Sequence, residues 1–174
     1  MFNTESNILQ LLASYPEREF YGQEIARKAK CSKASVSIIM ANLSQRKLVS
    51  KKIRGRMNFY QIELKNPEVK RFKINLLLRK LNPLLPKMEE FSKKIILFGS
   101  GSRGDQTWNS DLDLFILSNE KEELRPAIAK LSLDLPIRAI IKNQSEWSEM
   151  EISEPELYQE IKNGITLYEY VSRI

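Results

Sequence analysis

The segment from residue 95 to residue 117 constrains the fold more than any other part of this 174-residue chain. Two short apolar runs bracket a polar, glycine-containing loop, and the second run carries Asp111 and Asp113 at its start. Short apolar runs of this kind are typical of buried strands. Because side chains alternate along a strand, we expect both carboxylates on one strand face, with Leu112 and Leu114 on the other.

Two carboxylates on one strand face cannot pack into a core unpaired, because burial of like charges is costly. We therefore expect Asp111 and Asp113 to be exposed or to bind a cation, and Mg²⁺ prefers a few carboxylates together with substrate phosphates. Gly99 and Ser100 directly follow the first apolar run. A glycine there lets a phosphate approach the backbone, while the hydroxyl and the amides of a short helix bind its oxygens.

The charge distribution predicts two domains. Residues 1–94 contain 20 Lys and Arg against 8 Asp and Glu, whereas residues 95–174 contain 8 against 14. A basic half is attracted to a polyanion such as nucleic acid. Solvation of surface helices would explain the same excess of basic residues. The sequence pattern within the first half therefore has to distinguish between these two explanations.

Composition excludes several classes of site. With one cysteine, Cys31, and no histidine, neither an intrachain disulfide nor a conventional zinc site is expected, so a bound metal would need oxygen ligands. No apolar run approaches the ~20 residues of a membrane helix. The first residues lack the features of a secretory signal. We expect a cytoplasmic protein without a membrane partner.

The first half predicts three helices, the third with Ser32 as its N-cap, followed by a basic hairpin with Gly55 at its tip. This pattern resembles the winged helix-turn-helix family of DNA-binding domains, which implies double-stranded DNA as a partner and a role in transcription regulation. A protein-interaction module is the alternative. The third helix would reach the major groove and the wing would bind backbone phosphates, through these residues: Lys33, Ser35 and Ser37 in the helix; Lys51, Lys52, Arg54 and Arg56 in the wing.

We predict a division into a winged helix at 1–65, a helical linker at 66–90 and a second domain at 91–174. The linker contains apolar positions at helical spacing interrupted by two prolines. Its leucine-rich stretch at 72–85 would pack between domains, or would form a homodimer interface.

The 95–117 segment resembles the minimal members of the DNA polymerase β-like nucleotidyltransferase superfamily, whose motif is Gly-Ser, about ten residues, then Asp-x-Asp. Here ten residues separate Gly99-Ser100 from Asp111-Leu112-Asp113, and Arg103-Gly104 also fits. The closing stretch at 160–169 resembles the end of that domain. The resemblance implies an α+β protein in which a small mixed sheet with flanking helices follows the linker.

The resemblance also implies a chemistry. Mg²⁺ or Mn²⁺ would be bound by Asp111 and Asp113, the catalytic pair, and a nucleoside triphosphate, with ATP favoured, would be bound by Gly99, Ser100, Arg103 and Ser110. An ion pair between Arg103 and Asp105 is an equally good interpretation of that arginine. Minimal members that act as antitoxins against a ribonuclease partner share this spacing, so the resemblance implies transfer of AMP to a protein acceptor, or a toxin partner.

One position departs from the family pattern. A third carboxylate is expected on the strand after Asp113, but Arg138 stands there, and Asp134 lies nearer the strand start. A cation at this position would repel a second Mg²⁺ or replace it. Two functions therefore stay open: transfer of a nucleotidyl group to an acceptor, or a transcriptional regulator whose inactive transferase fold senses nucleotides or binds a protein.

Overall fold

The computed structural model describes residues 4–107, 109–131 and 133–171. The chain packs as two units, which meet in sequence at Lys73 and Ile74, inside the helix Pro67–Leu81. The finer division at 65 and 90 stays a prediction. Within the described ranges, no helix has the length and apolar character that crossing a bilayer requires.

Unit 1 has the winged-helix architecture that the sequence pattern predicts. Strand β3 pairs antiparallel with both β1 and β2, so the wing hairpin extends a small sheet. The two-residue strand β1 was not predicted. The elements of unit 1 are α1 (Thr4–Ser14), β1 (Phe20–Tyr21), α2 (Gly22–Lys28), α3 (Lys33–Gln45), β2 (Val49–Arg54) and β3 (Met57–Ile62), followed by the first half of α4 (Pro67–Leu81).

Local sequence signals determine the position of α3 and the wing. Helix α3 begins where the Ser32 hydroxyl accepts a hydrogen bond from the Ser35 amide at 3.0 Å, which is the predicted N-cap. The buried side chains of α3 pack into the core of unit 1, so its opposite face is turned to solvent. The hairpin turns at Gly55, whose φ of 60° suits glycine.

Unit 2 is built on a mixed sheet, also as predicted, in the order β6-β5-β4-β7. Strands β5 and β6 are parallel, whereas β4 pairs antiparallel with β5 and β7. The elements that follow α4 are α5 (Pro86–Glu89), β4 (Lys94–Leu97), α6 (Gly99–Arg103), β5 (Leu112–Leu117), α7 (Lys121–Ala129), β6 (Ile137–Lys142), α8 (Gln144–Ser153), α9 (Pro155–Lys162) and β7 (Ile165–Glu169).

Strand β5 is covered on both faces. On one face Leu112 and Leu114 belong to the same apolar cluster as Leu77, Leu81 and Leu85, so these linker leucines are core residues of unit 2. On the other face Phe115 contacts the ring of Trp147, which in turn contacts Tyr158, with ring centroids 4.3 Å apart in each pair. The predicted alternation is therefore observed from Leu112 onward, and Asp111 directly precedes the strand.

Gly164 lies at the start of β7, against the backbone of β4. A Cβ at this position would lie 2.5 Å from the Leu97 carbonyl oxygen and 2.7 Å from the Ile96 Cγ2 atom. We expect Gly164→Ala to lower the free energy of unfolding of unit 2 by about 2 kcal/mol through overpacking. Urea unfolding followed by tryptophan fluorescence measures this, because both tryptophans, at 108 and 147, belong to unit 2.

Gly22→Ala is the matched control for that substitution. No heavy atom lies within 4 Å of a Cβ built on Gly22, so unfolding of unit 1, followed by circular dichroism, should shift by less than about 0.5 kcal/mol. Equal effects of the two substitutions would contradict the close packing at Gly164.

Candidate functional site

The two carboxylates of the Asp-x-Asp motif lie at the start of β5, opposite the turn that follows β4. Asp111 is exposed and Asp113 is half-buried. A Cβ on Gly99 would lie 2.4 Å from the Asp113 Oδ2 atom, and Gly99 has a φ of 67°. Two features therefore require glycine at position 99: its positive φ, and the Asp113 carboxylate packed against it.

The turn between β4 and β5 is closed by its own hydrogen bonds. The Ser102 hydroxyl donates to the Gly99 carbonyl at 2.9 Å, and the Asp105 amide donates to the Ser100 carbonyl at 2.9 Å. The Ser110 hydroxyl accepts from the Thr107 amide at 2.8 Å. Ser100 is thus at the predicted phosphate-binding turn, whereas Ser110 acts within the loop itself.

Arg103 is engaged by carboxylates. Its guanidinium donates to Glu160 of α9 at 2.7 Å and lies 3.7 Å from Asp105. The ion pair with Asp105, one of the two interpretations of this arginine, is therefore present. Glu160 was not identified from the sequence.

Arg138 faces the motif from the neighbouring strand. In the parallel pairing of β5 with β6, Arg138 is the register partner of Asp113, so the two side chains share a sheet face. Arg138 is exposed, and no ion pair joins it to any described carboxylate. Asp134 instead forms an ion pair with Lys80 at 2.7 Å.

These charges act together on Asp113. Burial raises the pKa of the Asp113 carboxyl above its ordinary value, and the Asp111 and Glu160 carboxylates raise it further. The guanidinium groups of Arg138 and Arg103 oppose this rise. A divalent cation bound at the carboxylate pair would favour the ionised form in the same way, with a larger charge.

The oxygen donors present fit one divalent cation. Asp111 and Asp113 would supply two carboxylates, and the phosphates of a bound nucleotide would supply the remaining ligands that Mg²⁺ prefers. In the part of the chain that the structure describes, no group of three His, Cys, Asp or Glu side chains is arranged to hold a metal.

In unit 1, a notch of about 250 Å³ separates the start of α3 from strand β3. Lys33 and Ser37 line it, as do Gln23 and Asn58, which the sequence did not single out. The Ser35 hydroxyl lies 2.8 Å from the Ser32 hydroxyl at the helix cap, and its contact with DNA stays a prediction.

The wing cations fall into two classes. Lys52 and Arg54 each form an ion pair with Glu19 at 2.7 Å, and these contacts lower the pKa of the Glu19 carboxyl, with the Lys52 hydrogen bond as the largest cause. Lys51 and Arg56 are exposed, and no carboxylate in the described ranges forms an ion pair with them. Glu19 therefore offsets one of the four positive charges of the predicted phosphate-binding wing and engages two of its cations.

Glu19 and Glu160 were missed for a common reason. Glu19 is 33 residues from Lys52, and Glu160 is 57 residues from Arg103. Contacts at such separations leave no periodic pattern in the sequence. The position of Glu160 within the family-like closing stretch was the one available signal.

The profile of the family described as "Nucleotidyltransferase domain" matches residues 78–168. That range contains the Gly-Ser turn, the Asp-x-Asp motif, Arg138 and Glu160. Among proteins with curated descriptions, none matches this chain.

Solved structures of regulators resemble the N-terminal half. One is MepR, a transcription regulator of the Staphylococcus aureus multidrug efflux pump MepA, at 16% identity, over 52% of this chain and 67% of that chain, with a TM-score of 0.42. Reduced HlyU from Vibrio cholerae is 27% identical, over 42% and 74% of the two chains, with a TM-score of 0.34. A single-site mutant of Lactococcus lactis ZitR in complex with DNA is 22% identical, over 52% and 62%, with a TM-score of 0.38.

The contact between Gly99 and Asp113 is testable by a double-mutant cycle. We expect Gly99→Ala to destabilise unit 2, and we expect the loss to be smaller by roughly 1 kcal/mol in an Asp113→Ala background, because the clash with the carboxylate is gone. Urea unfolding followed by tryptophan fluorescence gives the four free energies.

Gly101→Ala is the control for the cycle. A Cβ at 101 would meet side-chain atoms of Leu97 and Leu77 at 3.1 and 3.2 Å, and none of Asp113. Its coupling to Asp113→Ala should be close to zero. A coupling at Gly99 that does not exceed the coupling at Gly101 would rule out the packed carboxylate.

Proposed function

Because this chain belongs to the nucleotidyltransferase domain family, we propose that unit 2 binds a nucleoside triphosphate with Mg²⁺ and that unit 1 binds duplex DNA. The observation that carries the nucleotide half is the placement of Asp113 against the Gly99 turn, with Asp111 on the same strand face. The protein is then a DNA-binding regulator with a nucleotide-binding domain.

In this proposal the residues of unit 2 have separate roles. Asp111 and Asp113 hold the divalent cation, Mg²⁺ or Mn²⁺, and Gly99, which has no Cβ, gives the Asp113 carboxylate the space that it occupies beside the backbone. Ser100 offers its hydroxyl at the same turn. When bound, the cation neutralises phosphate charge and orients the triphosphate. ATP is the nucleotide to test first.

Unit 1 is suited to a polyanion by its charge. Residues 1–73 contain 15 Lys and Arg against 6 Asp and Glu. The notch between α3 and β3 presents Lys33, Ser37 and Asn58 to a phosphate. Ile38 on the outer face of α3 is 72% exposed, which suits contact with a thymine methyl group in the major groove.

Two functions follow for the bound nucleotide. Transfer of a nucleotidyl group, of the AMP type, to a protein acceptor or toxin partner is supported by the family motif. Retention of the nucleotide as a regulatory ligand is supported by Arg138, which occupies the place of an acid. Release of pyrophosphate from labelled ATP separates the two. Assembly as a homodimer is a further proposal, and light scattering tests it.

The wing provides a test of DNA binding. We expect wild-type binding to a random duplex to weaken steeply as salt rises, and Glu19→Gln to steepen the slope of log K against log[salt] by about 1 to 2, because Lys52 and Arg54 become available to phosphates. Fluorescence anisotropy over a salt series measures both slopes.

Glu17→Gln is the matched control, since it removes the same charge from the same loop, and no ion pair of Glu17 is found in the described ranges. It should leave the slope nearly unchanged. A wild-type protein without salt-dependent binding would exclude the DNA interface. Equal slopes for the two variants would exclude only the role of Glu19.

The nucleotide site is tested by calorimetry with Mg²⁺ and a non-hydrolysable ATP analogue. We expect Asp111→Ala with Asp113→Ala to abolish metal-dependent binding, because the oxygen ligands are lost. Asp134→Ala should bind as the wild type does, since Asp134 pairs with Lys80. Retained binding by the double variant would overturn the assignment of the carboxylates.

A further inference from the structure

Arg138 acts on the site through its charge, because its guanidinium opposes the rise in the pKa of the Asp113 carboxyl. Arg103 is shared between Glu160 and Asp105, whereas Arg138 is exposed and forms no ion pair with a described carboxylate. Its strand register with Asp113 sets it on the neighbouring strand, on the same sheet face as the Asp113 carboxylate. An unpaired guanidinium at this place is available to an anionic ligand.

The charge that Arg138 contributes can be compared with the net charge of a third carboxylate and the second Mg²⁺ that it would help to bind. A third carboxylate and a second Mg²⁺ together carry one positive charge, and a guanidinium carries the same charge. Exchange of that pair for Arg138 therefore leaves the net charge facing a triphosphate unchanged.

We propose that Arg138 takes the place of the second divalent cation, so that unit 2 binds a nucleoside triphosphate with one cation and with the guanidinium on its phosphates. This inference rests on the nucleotide half of the proposed function and specifies how the ligand is held. Arginine suits the role because its planar fork donates two parallel hydrogen bonds to phosphate oxygens.

The presence of Arg138 in place of a second cation also determines whether the bound triphosphate reacts. A guanidinium has no acceptor atom and stays protonated, so Arg138 cannot withdraw the proton of an attacking hydroxyl. A second cation would lower the pKa of such a hydroxyl by coordination, and a guanidinium does not coordinate it. The bound triphosphate is thus retained intact, which is the behaviour of a ligand site.

The test counts cations. At saturating non-hydrolysable ATP analogue, electron paramagnetic resonance of free Mn²⁺ should report one bound Mn²⁺ per wild-type chain and two per Arg138→Asp chain. Calorimetry should show that Arg138→Ala weakens analogue binding by about ten-fold or more, as expected for loss of charge-assisted hydrogen bonds. Arg125→Ala, on an exposed part of α7, is the matched control and should bind as the wild type does.

The possible outcomes distinguish a failure of the role proposed for Arg138 from a failure of nucleotide binding by unit 2. Two Mn²⁺ per wild-type chain, or unchanged analogue affinity in Arg138→Ala, overturns the role of Arg138 while nucleotide binding stands. Stoichiometric release of pyrophosphate by the wild type overturns retention. A wild type that binds no nucleotide overturns the proposed function and this inference with it. If Arg138→Asp does not fold by circular dichroism, the affinities of Arg138→Ala and Arg138→Gln decide.

Discussion

The pairing of β5 with β4 on one side and β6 on the other is the constraint on which the site depends. Apolar side chains cover both faces of β5, so this strand can neither rotate nor slip without exposing a core face. Because the strand is fixed, Asp113 near its N-terminal end is held in one position, against Gly99 and beside Arg138. The polar chemistry of the site follows from apolar packing further along the strand.

Unit 1 differs from unit 2 in this respect, because the residues on the surface of its wing are distinguished by their charge interactions and not by their packing. The wing projects cations beyond the core, and its base is held by the pairing of β3 with β1 and β2. Glu19, just before β1, reaches two of those cations. A count of basic residues in the sequence therefore overstates the charge that the wing presents.

The sequence predicted the fold well where a pattern is local. The Ser32 cap, the hairpin turn at Gly55 and the alternation around Asp113 each depend on residues a few positions apart, and each is observed. Strand β1 was missed because two residues carry no periodicity. Of the site, the placement of Arg138 beside Asp113 was foreseen through the family pattern, while the partners of Arg103 and of the wing cations required three-dimensional contacts.

Strand β6 lies at one edge of the described sheet, with β5 as its one hydrogen-bonding neighbour. Arg138 is exposed on that strand, so the residue at this position contributes to the charge of the site without contributing to a core. A protein built in this way can exchange an acid for a base at one position and keep its scaffold. The fold of unit 2 and the charge at position 138 are thus independent of each other in this chain.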